Sequence, residues 1–345
     1  MHKSPATLVG VTTMLFGVTT MLSCMGDEPA VEEVMSVSYP TTGSIERLDP
    51  RLDAIVPPDA VIEVLSEGHE WVEGPVWVPE LQSILYSDIP NNAVYRWSEG
   101  EGASLWLQPA GYTGEVPREG ESGSNGLALD AEGRLVLAQH GDRRIARMNA
   151  PWDAPAPNFE TLAGEYEGKR FNSPNDVAVR SNGDLYFTDP PYGLEGGNEP
   201  QELDFQGVYR LAADGSLTLQ IDDLSRPNGI AFSPDQSILY VANSDPAGQG
   251  VVMAYDVESD GNLSNGRVFF DSWGDGMAVD QQGNVYLTGP RGGVFIINAD
   301  GEHLVTILAP PRTSNATFGE DGSTLFITAN TRLVRIRLNV KGVGF

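Results

Sequence analysis

The chain has 345 residues, 40% of them hydrophobic, and a formal net charge of −27 at pH 7. That hydrophobic content excludes a disordered chain, and so acidic a surface repels phosphates and argues against a nucleic-acid partner. The 39 glycines and 24 prolines suit many short strands joined by turns, and a lone cysteine, Cys24, leaves no intrachain disulfide.

The N-terminus reads MHKSPATLVGVTTMLFGVTTMLSC: His2 and Lys3, then an uncharged run ending at Cys24. This is the pattern of a secretory signal, residues 1–24. A lone cysteine closing the apolar run resembles a lipoprotein signal, which implies an exported protein, periplasmic or in the cell envelope, held to the membrane only by a lipidated Cys24. Ordinary signal cleavage nearby and a single membrane anchor are the alternatives. Residues 25–59 are acidic, carry Pro29, Pro40, Pro57 and Pro58, and show weak periodicity. They are expected to be a tether.

From there six segments share one shape: a polar residue, a short apolar strand, a turn rich in Gly, Asp or Asn, and a second apolar strand. They begin EGPVWV at Glu73, NGLALD at Asn125, NDVAVR at Asn175, NGIAFS at Asn228, DGMAVD at Asp275 and NATFGE at Asn315. Self-similarity at roughly 40–50 residues predicts stacked β units. Further strands such as GVYRLAADG and VVMAYDVESDG bring each unit to four, the composition of a propeller blade. The prediction is an all-β, six-bladed propeller of four-stranded antiparallel blades over residues 60–345. After Asn315 the chain has room for about three strands, so AVIEVLSEG, residues 60–68, is expected to supply the fourth and close the ring.

In a propeller the first strand of each blade lines the central channel. Glu73, Asn125, Asn175, Asn228, Asp275 and Asn315 therefore point at the axis from equivalent places. A single Asn ahead of a strand is ordinary turn chemistry, but six oxygen-bearing residues in register form a ring. Such a ring must be hydrated, mutually hydrogen-bonded or bound to a cation. Two carboxylates and four amides suit one hard divalent ion, Ca²⁺ ahead of Mg²⁺, Mn²⁺ and Zn²⁺. The second strand of each hairpin returns beside the first, which places Asp88, His140, Asp189, Ser244 and Arg291 near the same mouth, with Tyr192 just beyond. His140, Arg143, Asp189, Tyr192 and Arg291 are the candidate substrate contacts, with Asn125 and Asn315.

The motifs WVEGPVW, YSDIPNNAVYRW, NGLALDAEGRLVLAQHGDRR, SPNDVAV, TDPPYG, GVYRL, RPNGIAFSPD and GDGMAVD occur in that order over roughly residues 45–340. Together they resemble the SMP-30/gluconolactonase/LRE-like family. The resemblance implies a six-bladed propeller with a divalent metal in its channel, held by Glu73, Asn175, Asn228 and Asp275. It also implies hydrolysis of a sugar lactone of the glucono-1,5-lactone type to the aldonic acid. Water would attack a metal-polarised carbonyl, with Asp275 as base and Glu73 mainly a ligand; the reverse assignment stays open. No G-x-S-x-G nucleophile elbow occurs. Two rivals remain: another lactonase or a phosphotriesterase on the same site, and a non-enzymatic binding platform.

Overall fold

The computed structural model describes residues 38–345 apart from residue 246. The expected signal, Cys24 and the first part of the tether lie outside these described residues. Each repeat folds into an antiparallel sheet in which order along the chain is order in space. The inner strands are Val72–Val78, Ser124–Leu129, Val177–Val179, Pro227–Phe232, Met277–Val279 and Asn315–Gly319. Each touches the next, and the last touches the first, so the six sheets close a ring as a six-bladed β-propeller.

The repeat pattern explains the packing. Side chains alternate across a strand, and both faces of a blade meet another blade. Leu185 and Phe187 pack toward the second blade, while Tyr186, between them, packs toward the fourth. The hydrophobic core is thus divided into six clusters, one in each blade-to-blade interface. Tight turns join the strands; in Ser-Asn-Gly-Asp, Gly183 adopts φ 92 and its N–H closes onto Arg180 O at 2.9 Å.

Closure follows the sequence expectation. Ile62–Glu67 pairs antiparallel with Arg332–Arg337 as the fourth strand of the sixth blade. The tether expectation holds less well. Thr41–Thr42 adds a fifth strand to that blade, and Ser44–Arg47 adds a fifth strand to the fifth blade against His303–Leu308. Leu52, Ile55 and Val56 then bury themselves in the core between these two blades. Residues 41–56 therefore belong to the propeller, because an unpaired outer edge accepts any extended segment.

Candidate active site

The ring residues sit where each inner strand meets the channel, and the local backbone there is irregular for one reason. Strand pairing slips just after Glu73, after Ser124 and after Pro227. Beside the ring the backbone bonds the neighbouring blade: Gly126 N–H donates to Asn175 O (2.7 Å) and Gly229 to Asp275 O (2.8 Å) at two of these slips, and Gly276 to Ser314 O (2.7 Å) just ahead of the fifth blade's inner strand. A Cβ on Gly74 would lie 2.0 Å from Asn125 O, and one on Gly229 would lie 2.2 Å from Asp275 O. The Glu-Gly, Asn-Gly and Asp-Gly pairs are thus contact points between blades, where only glycine fits, rather than hairpin turns.

The residues just before the ring are fixed from the second strand. Asp88 accepts from the N–H groups of Glu70 and Trp71 at 3.2–3.3 Å. Asp189 does the same for Asn172 (2.8 Å) and Ser173 (2.7 Å), and Asn243 for Arg226 (2.7 Å). These side chains hold the approach to Glu73, Asn175 and Asn228. Asp189 was expected at the mouth as a substrate contact; it is fully buried behind it. Burial raises its pKa to about 7.

A cavity of about 1010 Å³ opens on this end of the channel. Glu73, Asn125, Asn175, Asn228 and Asp275 form its floor, each 7% exposed or less. Asn228 spends its amide hydrogens on Asp275 Oδ1 and Ser244 Oγ, both at 2.9 Å, which leaves its own Oδ1 unused by these bonds. Glu73 Oε2 accepts from Gly74 N–H at 3.0 Å. Burial, then mutual repulsion with Asp275, raises the Glu73 pKa. Burial also raises that of Asp275, against the nearby charge of Arg312 and the bond from Asn228. Asn125 Oδ1 is buried and has no partner among the described residues.

Of the remaining expected contacts, Tyr192 and Arg291 line the cavity. Tyr192 bonds Ser244 Oγ at 2.9 Å, and Arg291 is held by Glu46 at 2.7 and 3.0 Å. Asn315 lies beneath the floor against Gly276 and supports the buried Asp176 carboxyl. His140 and Arg143 do not reach the cavity. His140 is fully buried, with Nδ1 2.9 Å from Glu121 Oε2, and Glu121 is the residue that lines the cavity. Arg143 donates from Nε to Phe171 O (2.6 Å) and pairs with Glu199 (3.3 Å).

Several cavity residues were not foreseen. Trp71, Arg226 and Trp273 each stand two places before a ring member, so the repeat register already marked them. Glu121 and Arg312 come from connecting loops, where the repeat carries no register. Asp176 follows Asn175 and takes the place glycine holds in the neighbouring repeats. Its carboxylate accepts from Val177 N–H (3.0 Å) and Ile230 N–H (3.4 Å), and burial raises its pKa to about 6.

The donor set fits a hard divalent cation. Two buried carboxylates share one cavity with raised pKa values, and Asn125, whose buried amide oxygen has no partner among the described residues, lines the same cavity. Among the described residues no three His, Cys, Asp or Glu side chains converge, so amide oxygens and water would complete the shell.

Fold and site together define a six-bladed propeller with a carboxylate–amide floor at one mouth of its channel. The SMP-30/gluconolactonase/LRE-like region matches over residues 71–331, and the chain belongs to that family. A gluconolactonase of Zymomonas mobilis is 38% identical, covering 98% of this chain and 97% of that protein. The solved structure of a gluconolactonase from Xanthomonas campestris is 32% identical with a TM-score of 0.77, covering 88% of this chain and 99% of that one. Regucalcin from Agrobacterium tumefaciens, described as a calcium-binding protein, shares the fold at 20% identity and a TM-score of 0.62, covering 82% and 94%.

Proposed function

We infer that this chain is a lactone hydrolase, and we propose that it opens a sugar lactone of the glucono-1,5-lactone type to the aldonic acid. The observation that carries this is the pair Glu73 and Asp275, buried together with Asn175 and Asn228 on the floor of an open cavity. A binding platform has no use for two mutually repelling carboxylates there.

Glu73, Asn175, Asn228 and Asp275 would hold one divalent ion, Ca²⁺ ahead of Mg²⁺, Mn²⁺ and Zn²⁺. When bound, the ion supplies Lewis acidity to the lactone carbonyl. Asp275 is the base. Its Oδ1 takes the Asn228 amide, so Oδ2 is left to accept a proton from the attacking water. That proton goes to the ring oxygen as the ring C–O bond breaks. Asn125 on the floor is a substrate contact, and Trp71 and Trp273 wall the cavity with it.

A second reading rests on the rim, where Trp71, Trp273 and Tyr192 offer apolar surface. An aromatic or acyl-chain lactone, or a phosphotriester, would use it. Proton release measured on glucono-1,5-lactone, an acyl-chain lactone and a phosphotriester, each against its spontaneous rate, separates them. Acceleration confined to the sugar lactone supports the first reading; acceleration confined to the others overturns it. We further propose export with lipid anchoring at Cys24. Cys24→Ser should release the protein from the membrane fraction, and unchanged fractionation would contradict this.

A further inference from the structure

We propose that Arg312 recognises a second acidic group on the substrate, a carboxylate or phosphate carried away from the lactone carbonyl, so that anionic sugar lactones are preferred to neutral ones. This rests on the lactone-hydrolase reading above. Three arginines line the cavity. Arg226 is paired with Glu195 at 2.7 Å and Arg291 with Glu46 at 2.7 Å. Arg312 makes no salt bridge among the described residues, although its charge is felt at the buried Asp275 carboxyl. The chain has 48 acidic side chains to 21 basic ones, so a cation in salt-bridge contact with none of them is not the default outcome.

Arg312 is also placed rather than loose. Its guanidinium carbon lies 5.2 Å from the Trp71 ring centre and 5.9 Å from that of Trp273. Contact with aromatic faces orients a guanidinium while leaving its N–H fork free for an oxyanion. A planar fork of this kind takes carboxylate or phosphate oxygens in pairs.

Depth decides which part of the substrate it meets. The floor residues that address the carbonyl are nearly buried, whereas Arg312 is exposed at the rim. A lactone seated on the floor would present its far end to Arg312. The cavity, at about 1010 Å³, leaves room for a substituent there, since it stands at the upper end of small-molecule pockets.

The test compares kcat and KM for glucono-1,5-lactone, its 6-phosphate and a glucarolactone in wild type, Arg312→Gln and Arg312→Lys. In parallel, tryptophan fluorescence follows binding of gluconate, 6-phosphogluconate and glucarate, with Trp71 and Trp273 as reporters. The expected wild type favours one anionic lactone in kcat/KM. Arg312→Gln should raise KM for that lactone about 10- to 100-fold, at least tenfold more than for the neutral one, and Arg312→Lys should recover part of the loss. Preference for the phosphate or for the carboxylate identifies the group. Equal losses on neutral and anionic lactones, or none, overturn the proposal. If wild type hydrolyses no lactone, the lactonase reading fails and fluorescence alone decides. Tighter binding of an anionic probe than of gluconate, lost in Arg312→Gln, then upholds the anion site; equal binding overturns it.

Discussion

Asn228 Nδ2 donates to Asp275 Oδ1 at 2.9 Å, linking the fourth and fifth blades across the floor of the cavity. The bond orients both ends: the carboxylate keeps one oxygen for chemistry, and the amide turns its own oxygen away from the bond. Asn228→Leu removes the donor and the proposed ligand oxygen together while keeping similar bulk. Activity should fall about 100-fold or more, since losing even a supporting partner of a metal site costs 10- to 100-fold. Titration calorimetry with Ca²⁺ should show weakened binding, with the circular dichroism spectrum unchanged. Wild-type turnover in this variant would remove Asn228 from the site.

Gly229 shows how blade contact and site geometry are one feature. Gly229→Ala places a Cβ 2.2 Å from Asp275 O, whereas in Gly164→Ala the nearest atom is at 3.5 Å. The first should cost about 1–3 kcal/mol through forced backbone shifts and lower activity by displacing Asp275. The second should be close to neutral. Chemical denaturation of both variants checks the contrast; equal midpoints would contradict it.

Stability should depend on pH through the carboxyl groups buried in and behind the cavity floor. In the metal-free chain burial raises the pKa of Asp176 to about 6 and of Asp189 to about 7, and raises Glu73 and Asp275 as well. In the unfolded chain these groups ionise near pH 4. Between about pH 4 and 7 the folded chain holds more protons, so its stability falls as pH rises. His303, lowered by burial, contributes the opposite slope just below its ordinary range. Melting with a chelator should show Tm falling by roughly 5 °C or more from pH 5 to 8, and added Ca²⁺ should cancel the share that comes from Glu73 and Asp275. A chelated Tm that rises over this range would contradict the burial argument.

His140 does not line the cavity and meets it through Glu121. Its Nδ1 is 2.9 Å from Glu121 Oε2, and the imidazole itself is fully buried. His140→Leu should free Glu121 in the cavity and lower kcat/KM about tenfold or more, as losing a hydrogen bond to a charged group does. Glu121→Gln tests the same bond from the cavity side. A His140→Leu enzyme with unchanged kcat/KM would show that Glu121 needs no positioning.

The propeller was legible because each blade writes the same pattern, and the register of Asn175 within its repeat pointed to Glu73, Asn228 and Asp275. Alternation also marked Trp71, Arg226 and Trp273, two places upstream, though only hydrophilic ring members drew notice. What register cannot show is depth. Asp189 and His140 stand at the right height in their repeats, yet their side chains turn back to cap a loop and to brace Glu121. Arg312 and Glu121 come from connections with no repeat at all. Residues 41–47, TTGSIER, offered one aliphatic residue, Ile45, and so gave no periodicity; only the open edges of the outer strands make them β.

The most direct test is proton release from glucono-1,5-lactone by the chelated protein, before and after Ca²⁺ is restored, in wild type and in Asp275→Asn. The rate should lie near the spontaneous one with chelator, recover on adding Ca²⁺, and fail to recover in Asp275→Asn. Full activity in chelator, or an Asp275→Asn enzyme that Ca²⁺ restores to wild-type rate, would contradict the site built from Glu73, Asn175, Asn228 and Asp275.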